Sequence, residues 1–189
     1  MPLEIDDFII FKDKAFNMDR LKLIANTKKT IILWKKIFNG STEARGIGWY
    51  ALNIKRVESR HPMMNLDFSK GDVPNETSLL SNRVSFNKGC YPGQEVVARI
   101  KHLGKPKKKI VELLVNSEIV PVAGTQLFKN AESLDRPVGH ITSSAPSPMS
   151  GGQTVCMGMV KQSAYANETK LIFYVDNTEY NGTVRELLK

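Results

Sequence analysis

The second half of the chain alternates short apolar runs with turn-forming segments. The runs recur at roughly 10–20-residue spacing and are rich in Val, Ile, Leu and Met. Turns rich in Ser, Pro and Gly separate them, and this pattern is typical of small antiparallel barrels and sandwiches. We predict strands in five segments: Ile110–Val115, Val138–Ser143, Val155–Val160, Leu171–Val175 and Tyr180–Leu187.

The first part of the chain has a less regular pattern. Phe8–Phe11 is a short apolar run of strand type, and Asp19 is a candidate N-cap for a helix that begins at the next residue. Thr30–Phe38 is apolar but too short for periodicity to separate helix from strand. Residues 60–80 contain several Pro and Gly turn signals and are predicted to form a loop.

A short helix is predicted over Gly93–Ile100, with Glu95 and Arg99 four residues apart on one face. A Gly-Lys-Pro break at 104–106 follows the helix, and the strand pattern starts after it. We therefore expect an α+β protein in two domains, residues 1–103 and residues 104–189.

Composition limits the class of protein. The 189 residues are 41% hydrophobic and 24% charged, as expected for a globular chain. No run of about 18 apolar residues is present, so no membrane association is expected. The N-terminus has no export signal, which favours a cytoplasmic location, or the mitochondrial matrix in a eukaryote. His61, His102 and His140 are scattered and Cys90 and Cys156 stand alone, so no metal site is predicted.

The net charge of +8 predicts attraction to polyanions, and basic residues are densest between Lys101 and Lys109. Nucleic acid and a folate with a polyglutamate tail are both candidates. The basic run has no interleaved aromatic residues, which single-strand binders use for stacking, so nucleic acid is disfavoured.

The segment Val84–Glu95 concentrates chemically distinct side chains, among them a cation, a thiol, a phenol and a carboxylate. Lys88 and the positive end of the helix starting near Gly93 would both stabilise a thiolate at Cys90. A free cysteine is more commonly a small buried apolar residue, and that interpretation stays open. Cys156 lies in an apolar run and is predicted to be a core residue.

Residues 88–95, K-G-C-Y-P-G-Q-E, resemble the K-G-C-[FY]-x-G-Q-E motif of YgfZ-like folate-binding proteins, a branch of the glycine-cleavage T-protein superfamily. Three other segments fit the same family. V-P-N-E at 73–76 is similar to its I-P-x-E element, and R-V-E at 56–58 is similar to its R-I-E element. V-G-H-I-T-S at 138–143 resembles the V-G-x-I-T-S strand of the family's C-terminal barrel.

This resemblance implies the middle segment of a T-protein-like folate-binding fold followed by a small antiparallel β-barrel. It also implies tetrahydrofolate or a derivative as cofactor and an accessory role in assembly or repair of an iron–sulfur client protein, with Cys90 as the reactive thiol. The residues implied in folate binding are Glu58, Glu76, Lys88, Tyr91, Gln94, Glu95 and Arg99.

Each implied ligand has a simpler alternative. Glu58 and Glu76 could make hydrogen bonds within loops, as most glutamates do, or bind the donor groups of a pterin. Lys88 and Arg99 could be solvated, or face the carboxylate tail of the folate. Tyr91 could stack on the pterin, or wedge the motif loop against the barrel.

Two departures from the family pattern bear on function. The chain starts partway through the family's length, and the T-protein's catalytic aspartate would lie in the N-terminal portion. We therefore expect a separate N-terminal chain, a homo-oligomer or a truncated product. Arg60 stands where the family commonly has glycine, so that loop is expected to change shape. Whether the chain is an enzyme stays open, with an aminomethyltransferase and an RNA-associated basic protein as alternatives.

Overall fold

The structure is a computed structural model that describes residues 3–5, 8–16 and 18–185. The chain forms two compact units that divide between Lys55 and Arg56, called unit 1 and unit 2 below. The predicted domain boundary at Gly104 falls inside unit 2 and stays a prediction. Within the described ranges, no helix combines the length and hydropathy needed to cross a bilayer.

Unit 1 contains a three-stranded antiparallel sheet and helices. The strands pair in the order β1-β2-β3. The elements are β1 (Leu3–Ile5), β2 (Phe8–Ala15), β3 (Met18–Ile24), α1 (Thr27–Gly40) and the start of α2 (Trp49–Glu58).

The helix predicted to follow Asp19 is wrong, because those residues form strand β3. Leu21 and Leu23 alternate with charged residues at a period of two, which is the strand pattern. The ambiguous segment Thr30–Phe38 lies in helix α1. Its N-cap is Asn26, whose side-chain oxygen accepts a hydrogen bond from the Lys29 amide at 3.0 Å.

The first part of unit 2 is mainly loop between short helices. The predicted loop over residues 60–80 is confirmed, and the predicted helix after Gly93 is also confirmed. The elements after α2 are a 3₁₀ turn (Pro74–Glu76), α3 (Leu80–Arg83) and α4 (Gln94–Leu103).

Six antiparallel strands in the second part of unit 2 form a nearly closed barrel, in the order β5-β6-β7-β4-β9-β8. Phe128 and Ile172 exchange two backbone hydrogen bonds of 2.9 Å, which bring the end of β5 against β8. Residues 186 and 187 of the last predicted strand lie outside the described residues. The strands are β4 (Lys108–Val115), β5 (Gln126–Leu127), β6 (Gly139–Pro146), β7 (Thr154–Lys161), β8 (Lys170–Val175) and β9 (Thr178–Arg185).

The core of the protein lies inside this barrel. Val111, Leu113 and Val115 alternate along β4 and point into it, with Cys156 among their neighbours. The prediction that Cys156 is a core residue is therefore confirmed. The opposite face of β4 is covered as well, since Ile110 is fully buried. The structure confirms the α+β class and the barrel.

Candidate functional site

The K-G-C-Y-P-G-Q-E segment forms a loop that closes onto the start of α4. Gly93 has a φ of +84°, a left-handed conformation that glycine adopts without strain. The Gln94 side-chain oxygen accepts from the Tyr91 amide at 3.3 Å, and the Gln94 amide donates to the Tyr91 carbonyl at 3.1 Å. Gln94 therefore holds the loop closed, and its role as a folate ligand stays a prediction.

Cys90 lies on this loop as an exposed free thiol. The Lys88 ammonium group is 5.0 Å from the centroid of the Tyr91 ring, which is a cation–π distance. Helix α4 begins at Gln94, shortly after the thiol. Cys90 is thus open to solvent-borne reactants, whereas the alternative of a buried cysteine does not hold for this position.

Glu95 and Arg99 are both exposed on α4. Glu95 stands in the first turn, where a carboxylate is favoured by the helix dipole.

The V-P-N-E element forms the 3₁₀ turn and is joined to α4. The Asn75 side-chain amide donates to the Val97 carbonyl at 3.1 Å. Glu76 is 8% exposed, and its Oε2 accepts from the Val73 amide at 3.2 Å, which caps the turn. The structure therefore brings two of the four motif segments together, with one oxygen of Glu76 engaged in the turn itself.

Two polar atoms in these joined segments are buried without a protein partner. Among the described residues, nothing hydrogen-bonds to Asn75 Oδ1 or to the Tyr91 hydroxyl. A buried polar group left unpaired costs about 1–3 kcal/mol, so an ordered water or a ligand atom is the expected partner of each atom.

A cavity of about 560 Å³ lies beside Asn75 and is bounded by α4 and the start of the barrel. Its walls include Phe86, Ile100, Lys101 and Lys109. The Lys101 ammonium is 3.6 Å from the centroid of the Phe86 ring, so the cavity has an aromatic and a cationic wall. No carboxylate lines it in the described chain, and it therefore suits an anionic ligand.

Glu58 has a different setting from the other predicted ligands. Its Oε1 accepts from the Ser147 hydroxyl at 2.8 Å and from the Met149 amide at 3.2 Å. Both partners belong to the turn between β6 and β7. The loop hydrogen-bonding alternative thus describes the contacts of Glu58, and pterin binding by this residue stays a prediction.

The R-V-E and V-G-H-I-T-S segments meet in a buried polar cluster. Arg56 and Asp67 form an ion pair, and their side chains are 1% and 0% exposed. Arg56 Nη2 donates to the Ser143 hydroxyl at 2.6 Å. Asp67 Oδ1 accepts from the Ser143 hydroxyl at 2.7 Å and lies 2.8 Å from the Thr142 hydroxyl, while Oδ2 accepts from the Met63 amide at 2.9 Å.

A β-bulge lets two consecutive hydroxyls reach the same carboxylate. In a regular strand neighbouring side chains point to opposite faces, which would separate Thr142 from Ser143. The register of β6 against β7 shifts between Ile141 and Ser143, and this shift turns both hydroxyls toward Asp67. Gly139 in the same strand packs so tightly that a Cβ would lie 2.5 Å from the Met159 carbonyl oxygen.

Comparisons with known proteins agree with this architecture. Residues 108–187 match the glycine cleavage T-protein C-terminal barrel domain. The tRNA-modifying protein YgfZ of Yersinia enterocolitica is 32% identical over 110 residues, and that of Yersinia pestis is 35% identical over 115. The match covers 58% of this chain and 32% of each relative, about a third of their length.

The glycine cleavage system aminomethyltransferase T from Bartonella henselae superposes with a TM-score of 0.83 at 20% identity, over 97% of this chain and 50% of that protein. The chain therefore carries a T-protein C-terminal barrel domain at residues 108–187 and is similar to YgfZ-like proteins of the glycine-cleavage T-protein superfamily. The recognition made from the motif segments is therefore confirmed, together with the T-protein-like fold.

Arg60 stands where the YgfZ-like pattern commonly has glycine. Its φ is +55°, in the left-handed region that glycine adopts without strain, and the expected change of loop shape stays a prediction. The Arg60 guanidinium pairs with Glu112, which is 7% exposed on β4. The arginine therefore anchors the loop to the barrel as well as replacing the glycine.

Sequence reasoning missed the polar cluster around Asp67. Arg56, Thr142 and Ser143 lie within the YgfZ-like segments, but the burial of Arg56, which requires a paired acid, is visible only in the structure. Asp67 lies in a segment predicted only as loop, where nothing in the pattern marks it as the partner.

Proposed function

We propose that this YgfZ-like chain binds tetrahydrofolate or a derivative at the motif loop and supports assembly or repair of iron–sulfur proteins, with Cys90 as its reactive thiol. A cytoplasmic location is part of the same proposal. The folate, the client protein and the thiol role come from the family resemblance, and the geometry of the motif segments supports them.

One observation carries the proposal. The joined motif segments contain a buried acceptor and a buried hydroxyl without partners, Asn75 Oδ1 and Tyr91 Oη. A pterin ring offers both N–H donors and ring acceptors, which is the complement of this pair. The same loop exposes Lys88 and Cys90 to solvent. The available groups therefore fit a folate better than a purely apolar ligand.

We expect the residues predicted to bind folate to contact different parts of the molecule. The carboxylates of Glu76 and Glu95 suit the paired donors of a pterin, because charge-assisted hydrogen bonds are about twice as strong as neutral ones. Lys88 and Arg99 suit the carboxylates of the tail. Glu58 is the weakest candidate, because Ser147 and Met149 already occupy one of its oxygens.

Calorimetric titration with tetrahydrofolate tests the proposal through Glu76→Gln. The amide oxygen can still cap the 3₁₀ turn, while the charge-assisted acceptor is lost, so affinity should fall by about 1.5–3 kcal/mol. Glu132→Gln, an exposed change on the barrel, is the matched control and should bind as the parent does. Unchanged affinity in Glu76→Gln would assign that residue to loop structure alone.

The thiol role needs a separate measurement in cells. Cys90→Ala should leave folding and folate affinity intact, because the side chain is exposed. It should nevertheless fail to restore iron–sulfur enzyme activity in a strain that depends on this protein. Full restoration by Cys90→Ala would contradict the thiol role while leaving folate binding untouched.

Aminomethyl transfer is the enzymatic alternative, favoured by the superposition on an aminomethyltransferase. Structural similarity to that enzyme at 20% sequence identity supports a shared fold but does not by itself support a shared activity. Formation of a one-carbon derivative of tetrahydrofolate from an aminomethyl donor would support this alternative. Binding without turnover would favour the accessory role.

RNA association is the second alternative, and the relatives named as tRNA-modifying proteins are the reason to test it. Lys108 pairs with Asp72, so the positive charge of the basic run is lower than the sequence suggests. Lys105 and Lys107 are exposed. RNA affinity should fall steeply with salt, whereas pterin recognition by hydrogen bonds should not.

A further inference from the structure

A second cavity, of about 570 Å³, lies within unit 2 on the outer surface of the barrel. One of its walls is the loop over residues 65–72, and the other is formed by barrel strands, chiefly by His140, Ile141 and Thr142 of β6. It shares no lining residue with the cavity beside Asn75. Small-molecule sites in proteins have volumes of about 300–1,000 Å³. The second cavity is therefore large enough for a ligand of its own.

Apolar side chains form part of the lining of the second cavity. Phe68 of the loop and Met159 of β7 both belong to it, and Met159 is buried. Leu66, also in the lining, is 47% exposed. Removing such apolar surface from water favours binding, and an aromatic ring packs favourably on the ring of a phenylalanine. The walls therefore suit a ligand with an aromatic body.

The two carboxylates of the second cavity already have partners. Asp67 is fully buried and is paired with Arg56. Asp72 is 9% exposed, its Oδ1 is paired with Lys108, and its Oδ2 accepts from the Ser69 amide at 2.6 Å. Burial alone would raise the pKa of Asp72, but the hydrogen bonds from Lys108 and from the amide outweigh it and hold that pKa below its usual range. Neither carboxylate is therefore open to a cation from solution.

The polar groups that remain open in the second cavity carry hydrogen-bond donors. The Lys108 side chain is 42% exposed, and Asp72 occupies one of the three N–H groups of its ammonium. The imidazole of His140 and the side-chain amide of Asn65 are exposed, and both carry N–H donors. Charge-assisted hydrogen bonds from an ammonium are about twice as strong as neutral ones. These groups therefore favour an anion.

We propose that the second cavity binds a small organic anion with an aromatic body, with Lys108 and His140 at the anionic group and Phe68 against the ring. The apolar walls select against a bare inorganic ion, and the paired carboxylates select against a cation. This site is separate from the motif loop, so the proposal does not depend on folate binding.

Phenyl phosphate is the probe, titrated into the 189-residue chain with isotope-labelled methionine methyl groups. Met159 lines the second cavity, whereas Met149 lies in the turn between β6 and β7, outside it. The Met159 methyl resonance should shift saturably and that of Met149 should not. Benzyl alcohol lacks the anion and inorganic phosphate lacks the ring, so each should bind at least about tenfold more weakly.

Variants of the two donor residues test how the anion is held. His140→Ala changes an exposed side chain, should leave urea unfolding unchanged and should weaken probe binding by about two- to tenfold. Lys108→Met alone would leave Asp72 without its cation, so it is combined with Asp72→Asn. This double variant should lose at least about tenfold in affinity. Lys129→Met, an exposed change on the barrel outside the cavity, is the matched control and should bind as the parent does.

Three results would overturn the proposal. The first is a Met159 resonance that does not respond to phenyl phosphate, or that responds equally to benzyl alcohol. The second is unchanged probe affinity in His140→Ala and in the double variant. The third is an equal loss of probe binding in Glu76→Gln, which would place the probe at the motif loop instead.

Discussion

Replacing Asp67 by asparagine tests whether the buried polar cluster holds residues 56–67 against the barrel. The side chain keeps its volume and loses its charge. Asp67 is 0% exposed, and Arg56, Met63 and two hydroxyl-bearing residues of β6 direct hydrogen-bond donors toward it. In Asp67→Asn the Arg56 guanidinium stays buried without a counter-charge. Removing one partner of a buried ion pair costs about 3–5 kcal/mol.

That loss is a large part of the 5–15 kcal/mol by which a typical domain is stable. The double variant Arg56→Met, Asp67→Leu removes both charges and fills a similar volume. It should lose less than Asp67→Asn, because no uncompensated charge remains. Ser143→Ala removes two hydrogen bonds to charged groups, one from Arg56 and one to Asp67, and should cost at least about 1.5–3 kcal/mol.

Urea unfolding of the whole chain, followed by far-ultraviolet circular dichroism, measures these losses. Both tryptophans, Trp34 and Trp49, lie in unit 1, so their fluorescence does not report on the barrel. Hydrogen exchange of β6 and β7 supplies the local readout. A loss below about 1 kcal/mol in Asp67→Asn would refute the reasoning, and so would a double variant less stable than the single one.

Two further predictions concern single residues of unit 2. Arg60→Gly and Arg60→Ala both remove the ion pair with Glu112, but only glycine adopts the left-handed conformation without strain. In urea unfolding, the glycine variant should therefore be more stable than the alanine variant by about 0.5–1 kcal/mol. Equal stability of the two variants would contradict backbone strain at this residue. Burial raises the pKa of Cys156 to about 12, so at neutral pH its thiol is protonated and inaccessible. An alkylating reagent should therefore label Cys90 before Cys156, as followed by mass spectrometry. The difference in labelling rate should vanish in denaturant. Comparable labelling of both cysteines in the folded chain would show that the barrel core is open to the reagent.

The barrel could be predicted from sequence because its strands are long enough to show a pattern. Each predicted run overlaps an observed strand. Gly, Pro or Ser marks the connections between the runs except the last, where Asp176 and Asn177 form the turn with positive φ. Strand β5 was missed, since Gln126–Leu127 is too short for any periodicity. Its position depends on pairing with His140 and Gly139 of β6, a contact between residues distant along the chain.

The helix expected after Asp19 failed for a related reason. A capping residue is a local signal, whereas β3 is held by its antiparallel register with β2, from Ala15–Met18 at the turn to Ile9–Ile24. The alternation of Leu21 and Leu23 with charged residues carried the correct signal. Cross-strand pairing, a non-local term, outweighs a weak helix-start signal here.

The candidate site could be located from sequence, but its side chains could not be assigned from sequence alone. The motif gave the position of Cys90 and the helix after it. Gln94 closes the loop, and Glu58 accepts from the turn between β6 and β7. A carboxylate or amide has the same chemistry whether its partner is a ligand or a backbone amide. Only the three-dimensional partners separate these two roles.

The same contacts bear on the predicted boundary at Gly104. Asp67 binds Thr142 and Ser143 across it, and Arg60 pairs with a β4 glutamate. If the chain were cut at this boundary, Glu112, which is 7% exposed, would lose the guanidinium of Arg60. An unpaired buried charge destabilises a fold more than the absence of both charges does. Residues 56–103 therefore serve two purposes in this YgfZ-like chain. They stabilise the outer surface of the barrel with buried ion pairs, and they hold the motif loop that exposes Cys90.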